Sequence, residues 1–444
     1  MSAEPVLSHY QAQYRALAPE LPGRELAWLV SRRQGALARL LREGWPSNRH
    51  EAWKYAPLRL LTGREFHPVI TPPPVAPQAL AAAALPALTG PRLVFVNGRY
   101  DAGLSAPDAA EAGVSVQPLA EALAEAPERI AELLEADPGA DAEAFGALNT
   151  AFMADGACIR VAAGVQARQP ISLVFLTAPA PVRQMICPRV LLDLEAGAGA
   201  QVVVHHAGIG GTGERSHLVD LLVQGALAEG AELSLLRLQE EDDQALSLAQ
   251  LRLRQGAASR CTAADYALGG RFARTELTAE LAGVDAAATV TGMLLPQHRQ
   301  HMELLTTMDH AAPATLSTQQ VKAVADGHGR GVFNGLVRVR PDAQRIDARQ
   351  NSANLLLSPS AEIDARPQLE IYADDVRCTH GATVGQLDES ALFYLRARGL
   401  PLAAARSLLI YAFLAELLPS ALPALGERVD ARLRGELPVP EGLA

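Results

Sequence analysis

Several things are scarce in this chain, and each scarcity excludes a class of protein. Its four cysteines, Cys158, Cys187, Cys261 and Cys378, lie far apart in 444 residues, with no C-x-x-C pair. Such spacing builds neither a disulfide framework nor a self-contained zinc or iron–sulfur site. Reduced thiols are the simplest reading. No Walker A motif occurs, so any ATP hydrolysis belongs to a partner. Lys and Arg number 39 against 49 Asp and Glu, a net charge of −10, and the basic residues never form a block. That balance excludes a general nucleic-acid or anionic-membrane binder. The longest apolar run, near Ser407–Ala415, is about half of what a bilayer span needs. Met1 to Glu20 holds no basic region followed by an apolar core, so no secretion signal is read. The expectation is a cytoplasmic protein that binds neither nucleic acid nor membrane.

What is present divides into five stretches. Residues 1–66 read as helical: Leu26, Leu29, Val30, Leu37, Leu40 and Leu41 recur near helical spacing, and Gly44 and Pro46 end the run. Residues 67–91 are Pro/Ala-rich, with Pro72-Pro73-Pro74, and read as an extended linker. Residues 92–155 are mixed, opening on the strand Arg92–Val96 closed by Asn97-Gly98, with helical signals after it.

Over 156–387 the pattern becomes short alternating runs between small-residue turns. Gly164, Gly199, Gly230, Gly256 and Gly283 mark similar turns spaced 35, 31, 26 and 27 residues apart. Strands too short to bury themselves, repeated at that period, are the signature of a solenoid of stacked coils. Several strands carry apolar residues on one face and Arg, Glu, Asp or Gln on the other, which reads as one face in the core and one facing out. A β-sandwich is the competitor, but two-residue hairpin turns are lacking. Residues 388–444 are helical again. Asp388 reads as an N-cap, Gly399 as a stop, and Pro401 opens the next helix. That second helix, Leu402 to Leu418, is apolar around almost its whole circumference and must be covered by the β-helix end or by another protein.

The chemistry concentrates in Asp374-Asp375-Val376-Arg377-Cys378-Thr379-His380-Gly381. In a strand, Val376, Cys378 and His380 share one face, so a thiol and an imidazole could touch one iron, copper or sulfur atom. The residues alone leave two readings of Cys378 open, a ligand or a small buried hydrophobe.

Trp53-Lys54-Tyr55-x-Pro57-Leu58, Phe95-Val96-Asn97-Gly98, Leu369-Glu370-Ile371-x-Ala373-Asp374-Asp375-Val376-x-Cys378-x-His380-Gly381 and Leu392-Phe393-Tyr394-Leu395-x-x-Arg398-Gly399 resemble the SufB/SufD family of the SUF iron–sulfur cluster assembly system. The C-x-H-G strand is that of the SufD branch. The resemblance implies a mainly β protein, a right-handed parallel β-helix flanked by N-terminal and C-terminal helical regions. It implies no enzyme but an assembly subunit, paired with the scaffold SufB and docking the ATPase SufC through its C-terminal helices. Carried over, His380 would sit at the SufB interface where a transient iron–sulfur cluster or iron is held, with Cys378 its neighbour. Leu392, Tyr394, Leu409 and Phe413 become the partner-docking residues. ATP would enter through SufC, no cofactor would be held stably, and reduced flavin in the complex stays open. The alternatives are a SufB-like scaffold, a homodimer acting alone, or a β-helix carbohydrate-active enzyme.

Other candidates read as structural. His301 and Glu303 share a strand face that His310 does not, and His298 lies outside the strand, so hydrogen bonding explains them better than a metal. His205 and His206 point opposite ways. Asp326–Gly331 looks like a phosphate loop, but a strand follows it, not a helix, so it reads as a turn. Asp374 and Asp375 fall on opposite faces and do not pair as acid and base.

Overall fold

The computed structural model describes residues 4–436 apart from 84, 86, 87, 210–214 and 421. Two parallel sheets face each other. The first runs Gly156–Val161, Arg189–Leu194, His217–Leu227, Ala245–Gln255, Phe272–Leu281, His301–His310, Arg330–Val339 and Glu362–Ile371. The second runs Arg92–Val96, Ile171–Thr177, Gly199–Gly208, Glu232–Glu240, Arg260–Ala267, Ala287–Leu294, Leu316–Ala325, Ile346–Leu356 and Val376–Gly385. From Arg189 on, the chain crosses from one sheet to the other at every strand, so two consecutive strands make one coil. About eight coils stack into a parallel β-solenoid with helices at both termini, and the sandwich is excluded.

Register makes the stacking explicit. One inward column of the second sheet reads Ala200, Leu233, Cys261, Ala288, Ser317, Ala348, Cys378. The next reads Val202, Leu235, Ala263, Val290, Gln319, Gln350, His380. The apolar members of these columns meet Val223, Leu251, Leu277 and Val337 of the first sheet in one continuous core. Each fully buried Val or Leu is worth roughly 1.5–3 kcal/mol, which is how strands with no hairpin partners are held.

The turns leading from first sheet to second share one left-handed residue per coil. Gly164, Gly197 and Gly230 hold it in the early coils, and Ala258, Asp285, Ala314 and Arg345 in the later ones, with φ between 53° and 72°. Each donates its N–H to the turn of the following coil: Gly197 to Glu229 O at 2.8 Å, Ala258 to Val284 O at 2.8 Å, Arg345 to Asp375 O at 2.6 Å. The glycines that mark the repeat in the sequence are therefore not all equivalent. Gly199 opens a strand, and Gly256 and Gly283 precede the left-handed residue by two positions. Gly283 is required for a different reason, since a Cβ there would collide with the Ala257 backbone of the coil below.

Inward polar residues depart from the simple in/out reading. Arg237 shares the inward face of Leu233 and Leu235 and pairs with buried Asp265 at 2.8 Å. His206, also inward, stacks on Phe175 with ring centroids 4.7 Å apart, and burial lowers its pKa to about 3. Alternation places residues on two faces but does not say which face is the core.

Helices cover both outer faces. Glu4–Leu17, Ala27–Glu43 and Ala144–Phe152 pack with Trp53 onto Leu218, Leu246, Leu248 and Phe272 of the first sheet. Leu402–Ala415 and Pro423–Glu436 pack onto Leu236, Leu238, Tyr266 and Met293 of the second. There the Tyr266 hydroxyl donates to Leu417 O at 2.9 Å, and Lys322 Nζ to Phe413 O at 2.6 Å. The apolar C-terminal helix is thus covered by the side of the solenoid and not by its end. The Pro/Ala-rich stretch is also held in place: His67–Pro68 pairs with Gln184–Met185, and Leu80 and Ala83 of the helix Pro77–Ala83 are buried against Val94 and Val174.

Candidate functional site

The two ends of the solenoid differ. At the start, Val114–Pro118 pairs antiparallel with Gly156–Val161, and the Arg99–Tyr100 hairpin strand pairs with Arg92–Val96. At the finish, Glu362–Ile371 and Val376–Gly385 each pair on one side only, with Arg330–Val339 and Ile346–Leu356. Among the described residues their other edges carry no strand, leaving a rim of backbone donors and acceptors that a second chain can pair with. Pro367 sits in one of them, and proline is tolerated in a sheet at an edge. Ile371, Tyr372 and Val384 are exposed at this rim, Tyr372 at 62%. Ion pairs tie the last coil down, among them Arg330 to Asp364 at 2.7 Å and Arg338 to Glu370 at 2.8 Å. Arg366 reaches back to Glu51 of the N-terminal region.

Cys378 and His380 belong to this terminal coil. Both face inward, but their surroundings differ. Cys378 is half-buried and packs with Val376 against the apolar core. Burial and the nearby Asp347 carboxylate raise its pKa, outweighing a backbone hydrogen bond at Ala348. The group is a thiol at neutral pH and must lose a proton to ligate a metal. His380, one turn of the pleat further on, is exposed, because no coil of the described residues lies above it. Asp374 and Asp375 lie in the turn before the strand, where the Asp375 N–H donates to Gln344 Oε1 at 2.9 Å.

The C-terminal helices begin as the sequence reads. Ser390 N–H donates to Asp388 Oδ1 at 2.8 Å, and Gly399 takes φ 94° before Pro401. Leu392 is buried within its own chain, whereas Phe393 is 74% and Tyr394 57% exposed. Leu409 and Phe413 are half-buried, with the Lys322 ammonium 4.4 Å from the centre of the Phe413 ring.

Three of the other histidines are held by polar contacts. His301 Nε2 meets Glu303 Oε1 at 2.6 Å. His310 lies between Thr315 Oγ1 at 2.7 Å and Ser317 Oγ at 2.9 Å. His205 pairs with Glu240 at 3.0 Å. Asp326–Gly331 is a turn with Gly327 at φ 62°, entering the strand Arg330–Val339. Among the described residues no three His, Cys, Asp or Glu side chains converge in a geometry that could hold a metal ion. None of their helices is long and apolar enough to cross a membrane. A cleft of about 220 Å³ lies away from the terminal coil. Its arginines are already paired, Arg252 with Asp137, Arg254 with Glu280 and Arg340 with Asp309.

Fold and site together define a parallel β-solenoid sheathed by helices on both faces, with one uncapped end that displays an exposed imidazole beside an inward thiol. Two family models divide the chain between them: "SufBD protein N-terminal region" over residues 5–173 and "SUF system FeS cluster assembly, SufBD core domain" over residues 175–413. The chain belongs to the SufB/SufD family of the SUF iron–sulfur cluster assembly system, as a SufD homologue. It is 32% identical over 411 residues to iron–sulfur cluster assembly protein SufD of Escherichia coli, covering 91% of this chain and 92% of that one. It is 31% identical to the SufBD family protein slr0076 of Synechocystis, over 89% and 88% of the two chains. Similarity extends to protein ABCI7, chloroplastic, of Arabidopsis thaliana, 27% identical over 87% and 81%.

Proposed function

We propose that this chain is a non-catalytic subunit of a SUF assembly complex that joins a SufB-type scaffold through its open solenoid end and contributes His380 to a cluster forming at that junction. The observation that carries the reading is the pair of unpartnered strand edges, Glu362–Ile371 and Val376–Gly385, with an exposed His380 on one of them. Another parallel solenoid end can continue both ladders at once. Neutral imidazole is a ligand of borderline softness for iron, and a thiolate a soft one. One or two ligands from each chain hold the iron–sulfur cargo weakly enough to release it. Cys378, inward and protonated, is the reserve ligand and His380 the forward one. The C-terminal helices offer Phe393 and Tyr394 to a SufC-type ATPase, whose ATP-driven motion is passed to the solenoid through the Leu402–Ala415 helix. Leu409 and Phe413 support that surface from beneath.

Co-expression of tagged chain with SufB and SufC is the test. Recovery of both partners is expected, and recovery of neither removes the proposal. Within the complex, His380→Ala is expected to leave assembly intact and lower cluster formation under anaerobic reconstitution. An undiminished yield would remove His380 from the site. A SufB-like scaffold or a lone homodimer would instead retain iron and acid-labile sulfide in the isolated chain.

A further inference from the structure

The solenoid interior changes character toward its open end. The column that is Leu235, Ala263 and Val290 in the middle coils becomes Gln319, Gln350 and then His380. Gln319 is 1% exposed and Gln350 3%. Thr306 of the facing sheet donates its hydroxyl to Gln319 Oε1 at 2.5 Å. Gln350 has no such partner: both its Nε2 and its Oε1 are buried without a hydrogen bond among the described residues. A buried polar group left unmet is destabilising, and the middle coils fill this column with the apolar Leu235, Ala263 and Val290. The amide is therefore not explained by packing.

Its orientation is informative. Gln350 Nε2 reaches across the interior to Gly335, where even a Cβ would overlap it. Its Oε1 is an acceptor left without a donor. The next rung of the ladder is His380, on the same inward face of a strand about 4.8 Å away.

We propose that Gln350 is a positioning residue for His380: its carbonyl oxygen accepts the Nδ1–H of the imidazole, so that the Nε2 lone pair is the one presented at the open end. The inference rests on the reading of His380 as a ligand for cluster iron, and it specifies which nitrogen does the ligating. In metal sites a ligating imidazole commonly donates its other ring N–H to a carbonyl or carboxylate, and that bond selects the tautomer. Gln350 supplies such an acceptor from within the same chain: its Oε1 is unpaired in this structure, and the exposed imidazole one rung above makes the bond by turning inward onto it. Gln319 stands one rung behind it, and its Nε2 is likewise buried without a hydrogen bond among the described residues.

The tautomer of His380 is directly readable. Full-length chain carrying 15N-labelled histidine is examined by long-range 1H–15N correlation at pH 8, with the His380 ring assigned from its loss in His380→Ala. Wild type is expected to hold at least a fivefold excess of the Nδ1–H form. Gln350→Leu, similar in volume but without the acceptor, is expected to shift the ring to the Nε2–H form that an unconstrained imidazole favours. Gln350→Met serves if the leucine variant does not fold, and the reporters His206 and His310 deeper in the solenoid should not change. A wild-type ring already in the Nε2–H form, or a tautomer ratio untouched by loss of the amide, overturns the proposal. Because this readout needs neither partner nor iron, it can fail while His380 still proves essential for cluster yield. It can equally succeed while His380→Ala leaves that yield unchanged.

Discussion

The guanidinium carbon of Arg274 lies 3.8 Å from the centre of the Trp53 ring. Trp53 belongs to the N-terminal segment and Arg274 to the outer face of the first sheet, so this stack fastens the helical region to the solenoid. Arg274 is almost fully buried and binds two carboxylates, Glu276 at 2.5 Å and Glu303. Burial disfavours its charge, but Glu276 and Glu303 outweigh that and keep the guanidinium charged. Arg274→Met would leave Glu303 buried without its cation. The expected loss is about 3–5 kcal/mol in denaturant unfolding. Arg274→Lys should recover only part of it, since an ammonium cannot serve two carboxylates and a ring face together.

Cys378 and His380 should separate in function although they share a face. Cys378→Ala removes a half-buried thiol from the apolar end of the interior, and its expected stability cost is about 1 kcal/mol. Cluster yield in the reconstituted complex should fall less than it does in His380→Ala. Equal loss in both variants would promote the thiol to a forward ligand.

The C-terminal helices allow a similar separation. Phe393 and Tyr394 are exposed and make few demands on the fold, so Phe393→Asp with Tyr394→Asp should change thermal stability by less than about 0.5 kcal/mol. The same pair should sharply weaken recovery of a SufC-type ATPase. Phe413→Asp is expected to do both, because Phe413 sits under Lys322 and against the second sheet. Leu392→Asp should loosen the helix pair itself.

Acid should weaken the solenoid partly through His310. Burial between Thr315 and Ser317 lowers its pKa from 6.5 to about 4. A depressed pKa means that the unfolded chain binds the proton more readily between those values, so stability is full above pH 6.5 and is lost as pH falls toward 4. The slope is about 1.4 kcal/mol per pH unit at most. His310→Gln lacks this term. The advantage of wild type over that variant should therefore shrink from pH 7 to pH 4.5 in paired urea titrations, and a constant difference would show that His310 does not titrate in that range.

Much of this molecule was legible in local order. Period-two runs gave the strands, and Asp388, Gly399 and Pro401 gave the helix boundaries, because capping and left-handed turns are properties of a few neighbouring residues. The same alternation put Cys378 and His380 on one face. A repeat of roughly thirty residues with few hairpin turns pointed to a solenoid. Those features follow from the sequence alone, since each depends on contacts within one strand, turn or helix end.

Tertiary structure decided what local order left symmetrical. Alternation cannot say which face is inside, and the charged pair Arg237 and Asp265 lies in the core although charged strand residues as a class read as outward. Turn glycines look alike, yet Gly283 is required by the backbone of the coil below, while Ala258 and Asp285 bear the left-handed φ. Only stacking shows that Cys378 is packed and His380 uncovered, that the apolar C-terminal helix lies on the side of the solenoid, and that the end beside His380 stays open. Each of these depends on residues a whole coil or more away, and a parallel solenoid forms its contacts between coils and not within them.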